Sequence, residues 1–179
     1  MQNKFNYIIK NKNIHPELLT YYETLHKNKK KNIIFYGPSG SGKYYQVLKY
    51  LELFSPSKLK YQKKITITFN NNQYNYRVSD IHIEIDMQLL GCQAKSLWNT
   101  IYQFIFNMTF ISNELFIVCK NFHTINDDLL SVFDCYMQKN YYKEISVHFI
   151  LITNHISFIH KNILNKLITI NIPYPNKSI

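Results

Sequence analysis

"NIIFYGPSGSGKYYQVLKYL" (residues 32–51) places an apolar run, a glycine-rich turn and an amphipathic segment end to end. That order predicts a buried strand, a tight loop and a helix, and it decides the fold. Gly37-Pro38-Ser39-Gly40-Ser41-Gly42-Lys43 fits G-x-x-x-x-G-K. In this pattern the glycines let backbone N–H groups wrap a phosphate, and the lysine neutralises its outer oxygens. The helix opening near Gly42 adds the positive end of its dipole. The loop holds three of the four glycines in the chain, so a chance match is improbable. The next residue departs from the pattern: Tyr44 stands where a short Ser or Thr hydroxyl holds Mg²⁺. A phenol on the same backbone reaches past the metal and fills its space, so magnesium binding is expected to be weak or absent.

Outward from the loop, the chain alternates strands and helices. Residues 15–26 read as a helix with Pro16 in its first turn and Leu18, Leu19, Tyr22 and Leu25 along one side. The basic run "HKNKKK" (26–31) reads as a solvated linker, giving an N-terminal unit over 1–31 and a core domain over 32–179. "KITITFNNNQYNYRV" alternates on both sides of an asparagine turn and predicts a hairpin. "DIHIEIDM" alternates isoleucines with His82, Glu84 and Asp86, which predicts a half-buried strand. A helix follows over 94–108, then the apolar run "LFIVC", a helical "INDDLLSVFDCYMQ", a buried strand "VHFILIT" and a last short strand "KLITINI". Such alternation predicts an α/β sandwich with a mainly parallel sheet.

With 179 residues, 46% of them hydrophobic, one well-cored domain is expected. No segment reads as a signal peptide or a membrane span. Cys92, Cys119 and Cys135 are odd in number and show no zinc spacing, so all three read as reduced core side chains in an intracellular protein. The net charge of +10 points to acidic partners such as DNA. Yet only Arg77 among the 21 basic residues is arginine, and the abundance of asparagine, isoleucine and lysine is what AT-rich coding produces. His123 and His155 follow core strands without a carboxylate or second histidine at ligand spacing, and both read as solvated.

The order of the loop, "SDIHIEIDM", "IVCKNFHTINDDLLSVFDCYMQ" and "HFILITNHISFIHKNILNKLITI" resembles the small subunits of replication factor C and the bacterial delta-prime clamp-loader subunit, in the AAA+ class. It resembles most closely the degenerate clamp-loader-like proteins of large DNA viruses, over about residues 31–171. The resemblance implies a three-layer P-loop NTPase core with a central sheet flanked by helices, ATP or ADP as ligand, and replication proteins or other clamp-loader-like subunits as partners. It also implies losses. Cys119, Lys120 and Asn121 occupy the strand end where the family places a metal-orienting acidic pair, while Asp127 and Asp128 fall at the start of the next helix. Lys120 is expected to reach solvent, with a role near the phosphate as the alternative. Asn154 matches the γ-phosphate sensor, or else merely closes a turn. Lys166 falls where the family has an arginine finger, whose planar guanidinium lysine does not reproduce. No lid or collar is expected after Ile179.

Three function classes follow from these residues. The first is a hydrolysis-deficient, nucleotide-binding accessory of DNA replication or repair. The second is a working NTPase or kinase with an unorthodox metal site, with Asp86 as its acid. The third is a scaffold or nucleic-acid-binding module with an empty loop.

Overall fold

The computed structural model describes residues 4–10, 13–28, 32–108, 113–138, 141–142 and 145–175. Lys29, Lys30 and Lys31 of the basic run lie outside the described residues. The elements run α1 (Lys4–Ile9), α2 (Leu18–Lys27), β1 (Ile33–Tyr36), α3 (Lys43–Glu52), β2 (Lys63–Phe69), β3 (Asn72–Val78) and β4 (His82–Asp86). They continue as α4 (Ala94–Phe106), β5 (Glu114–Lys120), α5 (Asp127–Gln138), β6 (Tyr141–Tyr142), β7 (Ile145–Thr153), α6 (Lys161–Leu164) and β8 (Ile168–Asn171). The main path of the sheet is ordered β2-β3-β4-β5-β7-β1-β8, with β6 joined to β7. β4, β5, β7, β1 and β8 pair in parallel, and β2 and β3 add an antiparallel hairpin at one edge.

Alternation along the central strands divides the core in two. Ile34, Ile117, Cys119, Phe149 and Leu151 face a cluster with α4, α5 and α6; Ile33, Phe35, Phe116, Val118, Ile150 and Ile152 face one with α1, α2 and α3. Helices therefore cover both faces, as continuous apolar strands require. Trp98 of α4 lies 5.3 Å from Phe133 of α5 between ring centres and fills the first cluster. Tyr22, Phe35, Tyr50 and Phe116 build an edge-to-face aromatic stack in the second. Much of the aromatic content of the described residues is thus core.

The hairpin turns on Asn70 and Asn71, both with positive φ (48° and 62°), the geometry that matches the right-handed twist of the flanking strands. Asparagine tolerates it because its short amide side chain bonds locally.

Three expectations need correction. β4 is not half-buried: His82 and Glu84 are as inaccessible as the isoleucines beside them, since Phe5 of α1 stacks on His82 (4.8 Å) and α3 covers Glu84. Only Cys119 is buried; Cys92 sits exposed in the turn before α4 and Cys135 on the outer side of α5, and all three are free thiols. On α2 the buried side is Tyr22 and Leu25, while Leu19 is exposed. Among the described residues no helix is long and apolar enough to cross a membrane.

Candidate functional site

The loop between β1 and α3 forms where the sheet order reverses, because β1 has β7 on one side and β8 on the other. Helices leave a parallel sheet in opposite directions at such a point, and a crevice opens at the strand ends. Gly37 is required sterically: φ is +150°, and a Cβ there would come within 2.1 Å of the Ile172 carbonyl oxygen. The segment before α2 leans on the loop. Ile14 fills the space a Cβ on Gly42 would need. His15 Nε2 donates to the Ser41 carbonyl (3.2 Å), and the Gln46 amide of α3 donates to Asn13 Oδ1 (2.8 Å). On the outer side, the Tyr174 hydroxyl donates to the Ser39 carbonyl (2.9 Å).

Lys43 turns back over this loop. Its Nζ donates to the carbonyls of Gly37 (2.7 Å) and Pro38 (2.6 Å), and burial holds its pKa below the usual lysine value. The Ser41 hydroxyl is buried without a partner. A desolvated cation and an orphaned hydroxyl in one loop fit a phosphate, which would supply both the counter-charge and the missing acceptor.

Tyr44 offers no hydroxyl ligand for a magnesium ion. The Tyr44 hydroxyl donates a short hydrogen bond to Glu84 Oε1 on β4 and is committed there. Burial first, then the Glu84 carboxylate, pushes the Tyr44 phenol far above its ordinary pKa, so it stays a neutral donor. At the end of β5 the Cys119 thiol is fully buried and its pKa is pushed up by burial, so it stays a protonated thiol. Among the described residues no group of three or more His, Cys, Asp or Glu gathers to hold a metal.

Lys120 does not reach out to solvent as expected. Its Nζ lies 3.5 Å from Glu84 Oε2 and 5.4 Å from the centre of the Tyr44 ring. Arg77 Nη1 of β3 and His82 Nε2 complete the surroundings of Glu84, each at 3.8 Å. Burial works against the charge on Glu84, but His82, Lys120 and the Tyr44 hydroxyl together hold its carboxyl below the usual range. Sequence reading missed this acid. Its signal was a lone glutamate between isoleucines in a strand one position removed from β5. Replacing Tyr44 by Phe removes the hydroxyl donor and is expected to cost about 1–2 kcal/mol of stability, measured by urea unfolding.

The remaining site residues gather at the ends of β4, β5 and β7. Asn121 Nδ2 donates to Asp86 Oδ1 (2.9 Å), which also caps the following turn through the Gln88 amide. Asn154 Nδ2 meets His123 Nε2 at 3.1 Å, and the Thr153 hydroxyl donates to the His155 carbonyl. His123 and His155 are neighbours after all, with ring centres 6.0 Å apart. Burial, then repulsion from His155 and Lys43, lowers the His123 pKa against the opposing pull of Asp86. Lys166 is tied to Asp134 of α5 within the chain. Asp127 and Asp128 occupy the first turn of α5, whose entry is capped by the Asn126 side chain on the Asp128 amide.

The fold is mixed α/β, with a mostly parallel sheet covered by helices on both faces. Among solved structures the chain is similar to that of C. elegans PCH-2, an AAA+ ATPase, with a TM-score of 0.54 and 14% identity. The match covers 96% of this chain and 46% of PCH-2, so the chain spans just under half the length of that protein. The likeness is one of fold. No family model matches the chain, and no curated protein does.

Proposed function

We propose that the chain is a P-loop protein that binds ATP or ADP at residues 37–44 without magnesium-dependent hydrolysis, and that it serves as a clamp-loader-like accessory in DNA replication or repair. One observation carries the first part: Lys43 remains desolvated over the loop while Tyr44, at the metal position, is consumed by Glu84. Phosphate gains a cation; magnesium gains no hydroxyl from Tyr44. Lys120, the residue at the strand end, brings positive charge in place of the acid that would activate water, and Glu84 already neutralises part of it. Asn154, whose amide meets His123 Nε2 at 3.1 Å, is read as the γ-phosphate sensor. The replication role rests on the stretches that resemble clamp-loader subunits. The pairing of Lys166 with Asp134 in the same chain supports a subunit that supplies no finger to a neighbour.

Calorimetric titration with ATP and with ADP, with and without magnesium, tests the reading alongside phosphate release on the same sample. Micromolar binding insensitive to magnesium and no release is the expected result. Tyr44→Thr is expected to show no turnover, because the strand-end acids are still missing; measurable hydrolysis by that variant overturns the reading. Silence with both nucleotides leaves a scaffold.

A further inference from the structure

The charge of the chain is unevenly placed. Residues 53–79 contain five cations, Lys58, Lys60, Lys63, Lys64 and Arg77, and no acid, which amounts to half of the net charge of +10. All five lie on or just before the β2–β3 hairpin, whose two faces differ in kind. Ile67 and Tyr76 are buried in the cluster with α4, and Ile65, Phe69 and Tyr74 pack against it. No hairpin residue belongs to the cluster with α1, α2 and α3. That second face is therefore open. Cross-strand register sets its rows: Lys64 opposite Arg77, Thr66 opposite Asn75 and Thr68 opposite Gln73. Every one of these side chains is hydrophilic, and all but the half-buried Arg77 are exposed.

The hairpin also parts from the rest of the sheet. β3 and β4 pair only at Arg77–Glu84 and Val78–Ile83, so the strands splay beyond Glu84. The fork holds a cavity of about 200 Å³ lined by Asn75, Tyr76, Arg77, Glu84, Asp86 and Lys120. Two cations thus stand at the inner end of a polar platform, with more along its free edge. Asp86 is the acid there that opposes an incoming anion, since Glu84 is already enclosed by its cations.

We infer that the open face of the β2–β3 hairpin binds the phosphate backbone of single-stranded nucleic acid. Seven residues of strand span roughly 23 Å, room for a site of about four nucleotides. Tyr61, 66% exposed at the entry to β2, offers a ring on which a base stacks. Amides and hydroxyls on the platform bond phosphate and sugar without reading sequence, so the binding is sequence-tolerant. Lysines on an edge strand also discourage sheet-to-sheet aggregation. That protection accounts for Lys63 and Lys64, and the contact with Glu84 accounts for Arg77, but both leave unexplained Lys58 and the absence of acids over the whole stretch. Lys58, Lys63 and Lys64 have no carboxylate partner among the described residues.

The inference names the nucleic-acid contact of the proposed replication role and rests on that reading for its choice of partner; it does not depend on the nucleotide loop. Fluorescence anisotropy with a labelled 20-nucleotide oligo-dT, repeated from 50 to 200 mM salt, tests it. Lys63 shares the core-facing side of β2 with Ile65 and Ile67, so the four remaining cations, Lys58, Lys60, Lys64 and Arg77, predict a slope of about −2.8 in log K against log salt, or roughly fiftyfold weakening over that range. The double variant Lys58→Glu, Lys64→Glu is expected to weaken binding at least about fivefold and flatten the slope by about 1.4. Reversing Lys10 and Lys161, exposed and outside both the hairpin and the helix α4 that packs on it, changes net charge identically and is expected to leave the slope near its original value. Equal weakening in the two variants, or no binding at 50 mM salt, overturns the assignment. Duplex binding as tight as oligo-dT binding overturns the single-strand choice. Titration of the hairpin variant with ATP is expected to match the parent chain, so failure of the nucleotide reading and failure of this one are read separately.

Discussion

Replacing Glu84 by alanine is expected to cost about 3 kcal/mol of stability at neutral pH, a large share of what a domain of this size has. The carboxylate is almost wholly buried, and four groups converge on it: the Tyr44 hydroxyl, Lys120 at 3.5 Å, and Arg77 and His82 at 3.8 Å. Truncation leaves the Tyr44 hydroxyl without an acceptor inside the protein, which costs about 1–3 kcal/mol by itself. It also leaves Lys120 and Arg77 without counter-charge. Those two are a quarter and a third exposed, so water screens part of their loss, and the total falls at the lower end for a broken buried pair. Glu84→Gln keeps an acceptor for Tyr44 and is expected to lose about half as much. Urea unfolding of the three proteins gives the comparison; a loss under about 1 kcal/mol for the alanine variant shows that the cluster does not hold α3 to the sheet.

The pH dependence of this difference follows from the sign of the shift. The folded protein holds the Glu84 carboxyl below its usual range, so on acidification the unfolded chain takes up the proton first. The contribution of Glu84 is therefore present above the ordinary carboxylate pKa and is lost as pH falls through the folded value. Parent and Glu84→Gln midpoints are expected to differ at pH 7 and to converge toward pH 3. A constant gap across that range places the effect in packing rather than in charge.

The fold was legible wherever a local pattern is enough. The glycine loop between an apolar run and an amphipathic helix fixed β1 and α3, and the paired asparagines fixed the hairpin, because each depends on residues close in sequence. The environment of β4 was not legible. Alternation of isoleucine with His82, Glu84 and Asp86 is the ordinary mark of a strand with one wet face, and only long-range packing of Phe5 and Tyr44 makes that face dry. The same cause hid the partner of Lys120, which sequence places one strand away from any acid. α1 escaped notice because six residues are too few to show a period, although Phe5 and Ile9 sit on one side of it and are buried. In the candidate site the loop residues were found by motif, whereas the contact between His123 and His155 joins the ends of two strands that no spacing relates.

Lys43→Met is expected to weaken ATP binding by about a hundredfold while leaving the empty protein as stable as the parent or more so. A charged hydrogen-bond donor to phosphate is worth about 1.5–3 kcal/mol, and each 1.4 kcal/mol is tenfold in affinity. Without phosphate the same ammonium donates to two backbone carbonyls among the described residues, and burial disfavours its charged form. A lysine whose folded pKa lies below its unfolded value opposes folding while it is protonated, since the unfolded chain binds the proton more tightly; stability then rises as pH climbs through the folded value. Methionine fills nearly the same volume without that penalty. The strain is useful only if an anion comes to relieve it, so opposite signs of the two effects, read by calorimetry and by thermal unfolding of one sample, separate a retained phosphate cradle from a merely structural lysine. A Lys43→Met protein that is markedly less stable and binds ATP as before assigns Lys43 to the fold and removes the loop from function.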